Sequence, residues 1–281
     1  MLALGAIGVV VVVVVALVIV KVAGGSNNNG NANATGPILT AATPSVLSKV
    51  TSVPSSVASA VGLPTGSGSN GFLAVPSVWK GQKPLTYDGK PGALFIGGEF
   101  CPYCAAERWA MIMAFSRFGT FSNLKETTSS PWDTDSATNT FSFDGASYSS
   151  NYLVFRPIEN ESNDTGPGGQ GRKILEPLTS AEQKLWSNGD AHFGESPGFP
   201  FLNIGNKVFV WDPSYNPQVL QGLDWNQIAG KLSNPKDPVT QDIVGTATYL
   251  TAGICSITSN QGSSWCSLPI IKQAAHSMGL S

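Results

Sequence analysis

Ala93-Leu-Phe-Ile-Gly-Gly-Glu-Phe-Cys101-Pro-Tyr-Cys104-Ala-Ala-Glu-Arg-Trp-Ala-Met-Ile-Met-Ala-Phe-Ser-Arg-Phe-Gly119 is the stretch on which the fold turns. A short apolar run, two glycines, a Cys-x-x-Cys pair and a helical segment follow one another without a gap. The order is strand, turn, dithiol, helix. Ala93 to Ile96 reads as a buried strand and about Cys101 to Phe118 as a helix. Trp109, Met113 and Phe115 are among the apolar positions of that helix, and Gly119 can end it. Cys101 then falls at the helix N-terminus. Unpaired backbone N–H groups and the positive end of the helix dipole favour a thiolate there.

Working outward, Phe72 to Trp79 and Leu85 to Tyr87 are short extended segments, with Asp88-Gly89 as a hairpin-type turn. Thr65 to Gly71 is a Gly/Ser turn. Downstream, Thr120 to Gly145 is rich in Ser, Thr and Asp and reads as a surface excursion. Leu153 to Phe155 is the best core strand that follows, and Glu159 to Gly171 reads as a mobile loop. Thr179-Ser-Ala-Glu182 has the form of a capping box opening a helix to about Asn188. Phe199 to Ile204 and Lys207 to Trp211 flank Gly205-Asn206, a strong hairpin signal. Asp224-Trp-Asn-Gln227 opens another helix, and Val239 to Ala252 and Leu268 to Met278 read as two closing helices. A parallel half followed by an antiparallel hairpin makes an α/β sandwich with a mixed sheet.

The N-terminus has a different character. Met1 to Val20 carries no charged side chain, and some 20 such residues match the hydrocarbon thickness of a bilayer. The run is long for a signal peptide and Val22-Ala23-Gly24-Gly25 is a poor cleavage site, so residues 1–22 read as an uncleaved membrane anchor. Residues 23–70 read as a flexible linker, Gly24 to Gly36, and an arm. In the arm, Val46, Val50, Val53, Val57 and Val61 recur at helical spacing, with a break at Pro54 and an end at Gly62 and Pro64. Residues 71–281 are the globular domain. The chain is 281 residues long with 12% charged residues and a net charge of −2, so nothing electrostatic supports a nucleic-acid partner.

Four cysteines fall into two local couples, Cys101/Cys104 and Cys255/Cys266. At a helix start, two intervening residues bring both sulfurs within bonding reach, so Cys101 and Cys104 read as a redox disulfide. Cys101 is the attacking thiolate and Cys104, in the first turn, the resolving thiol. An inert disulfide is one alternative. Half of a zinc site completed by Cys255 and Cys266 is another, though no knuckle-like pattern surrounds those two. The polar loop from Cys255 to Cys266 reads as a structural disulfide, with a redox relay as the rival. A structural disulfide places the domain outside the cytoplasm and outweighs Lys21, which alone favours the opposite topology.

The strand–CPYC–helix unit with Phe199-Pro200-Phe201-Leu202 resembles the thioredoxin-like superfamily. The resemblance implies a thioredoxin-like mixed-sheet sandwich with insertions and extra C-terminal helices, behind the single N-terminal transmembrane helix. It also implies that Pro200 is cis and faces the dithiol, with Pro200 counted among the catalytic residues. More closely, Gly97-Gly98-Glu99-Phe100-CPYC-Ala105-Ala106-Glu107-Arg108-Trp109-Ala110 and Phe118-Gly119-Thr120-Phe121-Ser122-Asn123-Leu124 look like an uncharacterised, membrane-anchored actinobacterial and archaeal family, domain of unknown function 929. That likeness runs over roughly residues 70–280 and implies no substrate. Three features depart from the superfamily: Phe199 is bulky for its place, Ser196-Pro197 competes for the cis proline, and no tryptophan precedes Cys101.

Glu99 and Glu107 are the nearest carboxylates and the candidates to take the proton of Cys104. Their bland reading is a solvated acid or one paired with Arg108. His192 reads as a surface or loop residue. The expectation is therefore a membrane-anchored, extracytoplasmic thiol–disulfide oxidoreductase without a cofactor or metal. It would act on protein thiols and disulfides with a redox partner in or near the membrane, and meet lipid through Met1–Val20. A non-catalytic binding or scaffold domain with a structural disulfide is the alternative.

Overall fold

The computed structural model describes residues 39–64, 72–163 and 171–280. The expected anchor and linker, the Thr65 to Gly71 turn and residues 164–170 of the expected loop lie outside the described residues. Those described belong to one compact unit, Ala34–Ser281. Among the described residues, no helix is long and apolar enough to cross a membrane.

The described chain opens with β1 (Thr40–Ala41), α1 (Pro44–Thr51) and α2 (Ser55–Val61). Next come β2 (Ser77–Val78), β3 (Thr86–Tyr87), β4 (Lys90–Gly98) and α3 (Pro102–Phe115). Four short strands follow: β5 (Thr120–Ser122), β6 (Lys125–Thr128), β7 (Asn139–Ser142) and β8 (Ser147–Ser149). Then come β9 (Val154–Glu161), α4 (Ser180–His192), β10 (Phe201–Ile204) and β11 (Val208–Val210). The last helices are α5 (Trp225–Lys231), α6 (Pro238–Ile257) and α7 (Pro269–Ser277).

The fold is mixed α/β around a mixed sheet. β4 lies at its centre, parallel to β9 on one side and antiparallel to β10 on the other. β10 pairs on to β11, and β11 to β2, both antiparallel. The parallel pair needs a crossover, which α3 and the strands after it supply. The tight turns have the chemistry their sequences predict. Asp88 and Gly89 both have positive φ, as do Gly205 and Asn206, and two-residue hairpin turns of that type require it at both positions. Side chains alternate along β4. Ala93 and Phe95 join the core formed with Trp109, Leu202 and Val208, whereas Leu94 and Ile96 pack on the other face with Ile158, Phe201 and Phe209. Every residue of α3 is buried except Tyr103, as befits a helix apolar nearly all round.

Two expectations change. The segment from Thr120 to Gly145 is not a surface excursion. β6 pairs with β1 and β7, and β5 pairs with β8. Thr127, Ser129, Ser130, Thr138, Thr140 and Ser142 are buried. Several of these small polar residues can be interior because they bond to neighbouring backbone. Thr140 Oγ1 donates to Ala105 O at 2.6 Å, and Ser130 N to Phe100 O at 2.8 Å. The second change concerns the arm. Its two helices break at Pro54 and end at Gly62, but Val46, Val50, Val53 and Val57 sit in the same core as Trp109 and Ile243. The described residues of the arm and of the domain share one core.

Candidate active site

The site begins where β4 ends. A Cβ on Gly97 would collide with the Phe95 ring and lie 3.3 Å from Cys104 Sγ, and one on Gly98 would run into the Phe100 ring. Both glycines are therefore demanded by close approach. Cys101 is the N-cap of α3, with extended backbone angles, and Pro102 takes the first helical position, where its missing N–H costs nothing. Cys101 Sγ takes the place of a capping oxygen and accepts from Cys104 N at 3.2 Å. Both cysteines are free thiols; Cys101 is 5% exposed and Cys104 is sealed beneath it at 0%.

Their environments pull the two sulfurs apart. Burial opposes ionisation of Cys101. Hydrogen bonding from the Cys104 thiol and backbone, with the nearby Arg108 charge, outweighs it and holds Cys101 below the ordinary thiol value. Burial pushes the Cys104 thiol well up, and its hydrogen bond to Cys101 and the Cys101 charge push the same way. One sulfur is disposed to be thiolate and the other to keep its proton.

Arg108 is the charge beneath the dithiol. It lies one helical turn after Cys104, fully buried, with a two-pronged bond to Glu159: Nε to Oε1 at 2.8 Å and Nη2 to Oε2 at 2.6 Å. Its Nη2 also donates to Gly98 O at 2.9 Å, the oxygen that accepts from Cys101 N at 3.2 Å. Glu159 was expected to open a loop. Instead it belongs to β9, opposite Gly97, and its Oε1 also accepts from Phe143 N.

The expected proton acceptors are buried, not solvated, and neither has an ion pair with Arg108, whose carboxylate is Glu159. Glu99 accepts from Ser142 Oγ, and burial holds its carboxyl above the usual range. Glu107 accepts from Ser214 Oγ at 3.1 Å and Ser214 N at 3.3 Å, and burial pushes it up to about 7. His192 is the exposed last residue of α4, stacked on Trp79 with ring centroids 3.8 Å apart.

Across from Cys101 stands the Phe199–Pro200 peptide, which is cis and immediately precedes β10. Phe199 O lies 4.0 Å from Cys101 Sγ. Helix α4, opened by the Thr179/Glu182 capping box, fixes this loop. Trp186 donates to Gly198 O at 3.1 Å and stacks on the Phe199 ring, while Asp190 accepts from Gly198 N at 3.0 Å. Phe199 meets Phe100 edge to face, and the Arg172 guanidinium covers the Phe100 ring at 3.2 Å. Phe100, Trp186 and Arg172 were not legible as site residues. The available signal for the Arg108–Glu159 pair was an arginine four residues after Cys104 in a helix whose one other charged residue is Glu107.

A model of the family described as domain of unknown function (DUF929) matches residues 78–256, from β2 into α6. The chain belongs to this family. The matched span holds Cys101, Cys104, Arg108, Glu159, Phe199 and Pro200. No curated protein matches the chain. No solved structure matches it either.

Cys255 and Cys266 are bonded to each other, across a separation of 11 residues. They are therefore not free thiolates for a zinc site shared with the dithiol. Trp265, beside Cys266, stacks on Arg117 just past the C-terminal end of α3. The length of α3, 14 residues or about 21 Å, separates the disulfide from Cys101, too far for direct exchange with the dithiol as built. Among the described residues, no group of three or more His, Cys, Asp or Glu is placed to hold a metal.

Proposed function

We propose that this protein is a thiol–disulfide oxidoreductase of thioredoxin-like architecture, tethered to a membrane by Met1–Val20 with its domain on the extracytoplasmic side. The observation that carries the reading is the helix-capping sulfur. Cys101 Sγ holds the Cys104 N–H at 3.2 Å, above a sealed Cys104 and opposite the cis Phe199–Pro200 peptide. The order of the central strands, β9-β4-β10-β11, with the β9–β4 pair parallel and the β4–β10 and β10–β11 pairs antiparallel, supports the thioredoxin-like assignment. In the reducing direction, Cys101 thiolate attacks one sulfur of a substrate disulfide and the other sulfur leaves as a thiolate. Cys104 then loses its proton and attacks Cys101 Sγ, releasing the second substrate thiol and leaving Cys101–Cys104 oxidised. The oxidising direction is the reverse of these steps.

Cys104→Ser removes the resolving thiol and is expected to accumulate mixed disulfides through Cys101, visible as reducible adducts in a gel without reductant. Cys101→Ser gives none. If neither variant forms adducts and Cys101 alkylates no faster than an unperturbed thiol, the catalytic reading fails and the binding-domain alternative takes its place.

A further inference from the structure

A second site stands at the opposite end of α3 from the dithiol. Arg117 follows α3 and is partly buried. Nη1 donates to Ala247 O at 3.2 Å and to Thr251 Oγ1, and the guanidinium lies over the Trp265 ring at 3.6 Å. Nη2 is sealed from solvent and has no hydrogen-bond partner among the described residues. Among the described residues, no carboxylate lies within ion-pair distance. Burial is accordingly unopposed and draws its pKa down to about 9, leaving the group cationic at neutral pH. The other interior arginine, Arg108, also has one unpartnered nitrogen, Nη1, but Glu159 balances its charge; among the described residues no carboxylate does so for Arg117. A withdrawn charge without a counter-ion is costly, and a partner from outside the chain relieves that cost.

The surroundings suit such a partner. Arg117 lines a cavity of about 450 Å³ between the α1–α2 junction and the loop closed by the Cys255–Cys266 disulfide. Ser55, Ser116 and Ser264 also line it, and their hydroxyls make no hydrogen bond to any described group. Among the described residues, no acidic side chain lines it. We propose that this cavity binds a phosphate group, whose several acceptor oxygens match a guanidinium and three uncommitted hydroxyls. The proposal does not rest on the dithiol reading. It gives the Cys255–Cys266 disulfide a role, holding Trp265 and Ser264 at the cavity wall.

The test uses the full chain in non-ionic detergent, titrated at constant ionic strength with inorganic phosphate. A second arm uses glycerophosphoglycerol, the water-soluble headgroup of an anionic phospholipid. At ten times the dissociation constant the thermal midpoint is expected to rise by roughly 3–5 °C, with no rise from chloride. Arg117→Met is expected to abolish the response. Ser264→Asp places a carboxylate at the cavity, raises the midpoint without ligand and weakens phosphate at least tenfold. A response to inorganic phosphate alone assigns free phosphate, and a stronger response to the diester assigns a lipid headgroup; either supports the site. No saturable response in either arm overturns it, as does an undiminished response in Arg117→Met. Should that variant fail to fold, an undiminished response in Ser264→Asp overturns it instead.

Discussion

The buried Arg108–Glu159 pair offers the sharpest test of how the interior acts on the dithiol. Arg108 Nη2 and Cys101 N bond the same Gly98 oxygen at 2.9 and 3.2 Å, so the guanidinium nitrogen lies within about 6 Å of the Cys101 nitrogen. Arg108→Met alone is a poor probe. It leaves Glu159, 1% exposed, without its partner, and breaking a buried pair costs about 3–5 kcal/mol. Arg108→Met with Glu159→Gln removes both charges and is expected to fold with near-normal stability. The Arg108 charge favours the Cys101 thiolate and the Glu159 charge works the other way, so removing both should raise the Cys101 midpoint by the difference. Each tenfold loss of thiolate corresponds to about 1.4 kcal/mol. The remaining thiolate is then more basic and about threefold more nucleophilic, so alkylation below the midpoints slows about threefold for each such loss. The assay is the rate of iodoacetamide labelling against pH, read by mass at Cys101. An upward move of the rate midpoint is expected. An unchanged midpoint in a folded double variant would refute the claim that this buried pair acts on Cys101.

Three further outcomes follow from the same geometry. Glu107 has a folded-state value of about 7 against 4.5, so the folded chain holds a proton that the unfolded chain releases between those values. Stability is fully present below about pH 4.5 and falls by about 3 kcal/mol as pH rises to about 7. Glu107→Gln, which can still meet Ser214, should flatten that slope in urea unfolding; an unaltered slope would show that Glu107 is not its source. Gly97→Ala sets a methyl against the Phe95 ring and near Cys104 Sγ, and should cost about 1–3 kcal/mol with slowed Cys101 alkylation, measured by the same labelling assay. Cys255→Ser with Cys266→Ser opens a loop whose ends are 11 residues apart and should lower stability by about 3 kcal/mol in a chain-entropy estimate. The Cys101 alkylation rate should stay unaltered, and a changed rate would instead favour a relay between the couples.

Much of this protein is written locally. Residues 93–119 carry strand, turn, dithiol and helix in order, because apolar run, close-packing glycines, N-cap sulfur and N1 proline each act within a few residues. The turns Asp88-Gly89 and Gly205-Asn206 and the capping boxes at Thr179 and Asp224 are local as well, and the structure has them where the residues place them. The hairpin and the order of the central elements followed from the same signals. What the tertiary structure decided is which polar groups go inside. Nothing local says that Arg108 meets Glu159, 51 positions away, rather than its neighbour Glu107. Nor does anything local say that Thr127, Ser129, Ser130, Thr138, Thr140 and Ser142 are buried. The valines of α1 and α2 are periodic in sequence, but only the core they enter makes them part of the domain. Helix caps and turns are set by the backbone's own neighbours. The burial of a charge or a hydroxyl is settled by a partner that sequence separation hides, because an unpartnered polar group in the interior is costly wherever its partner originates.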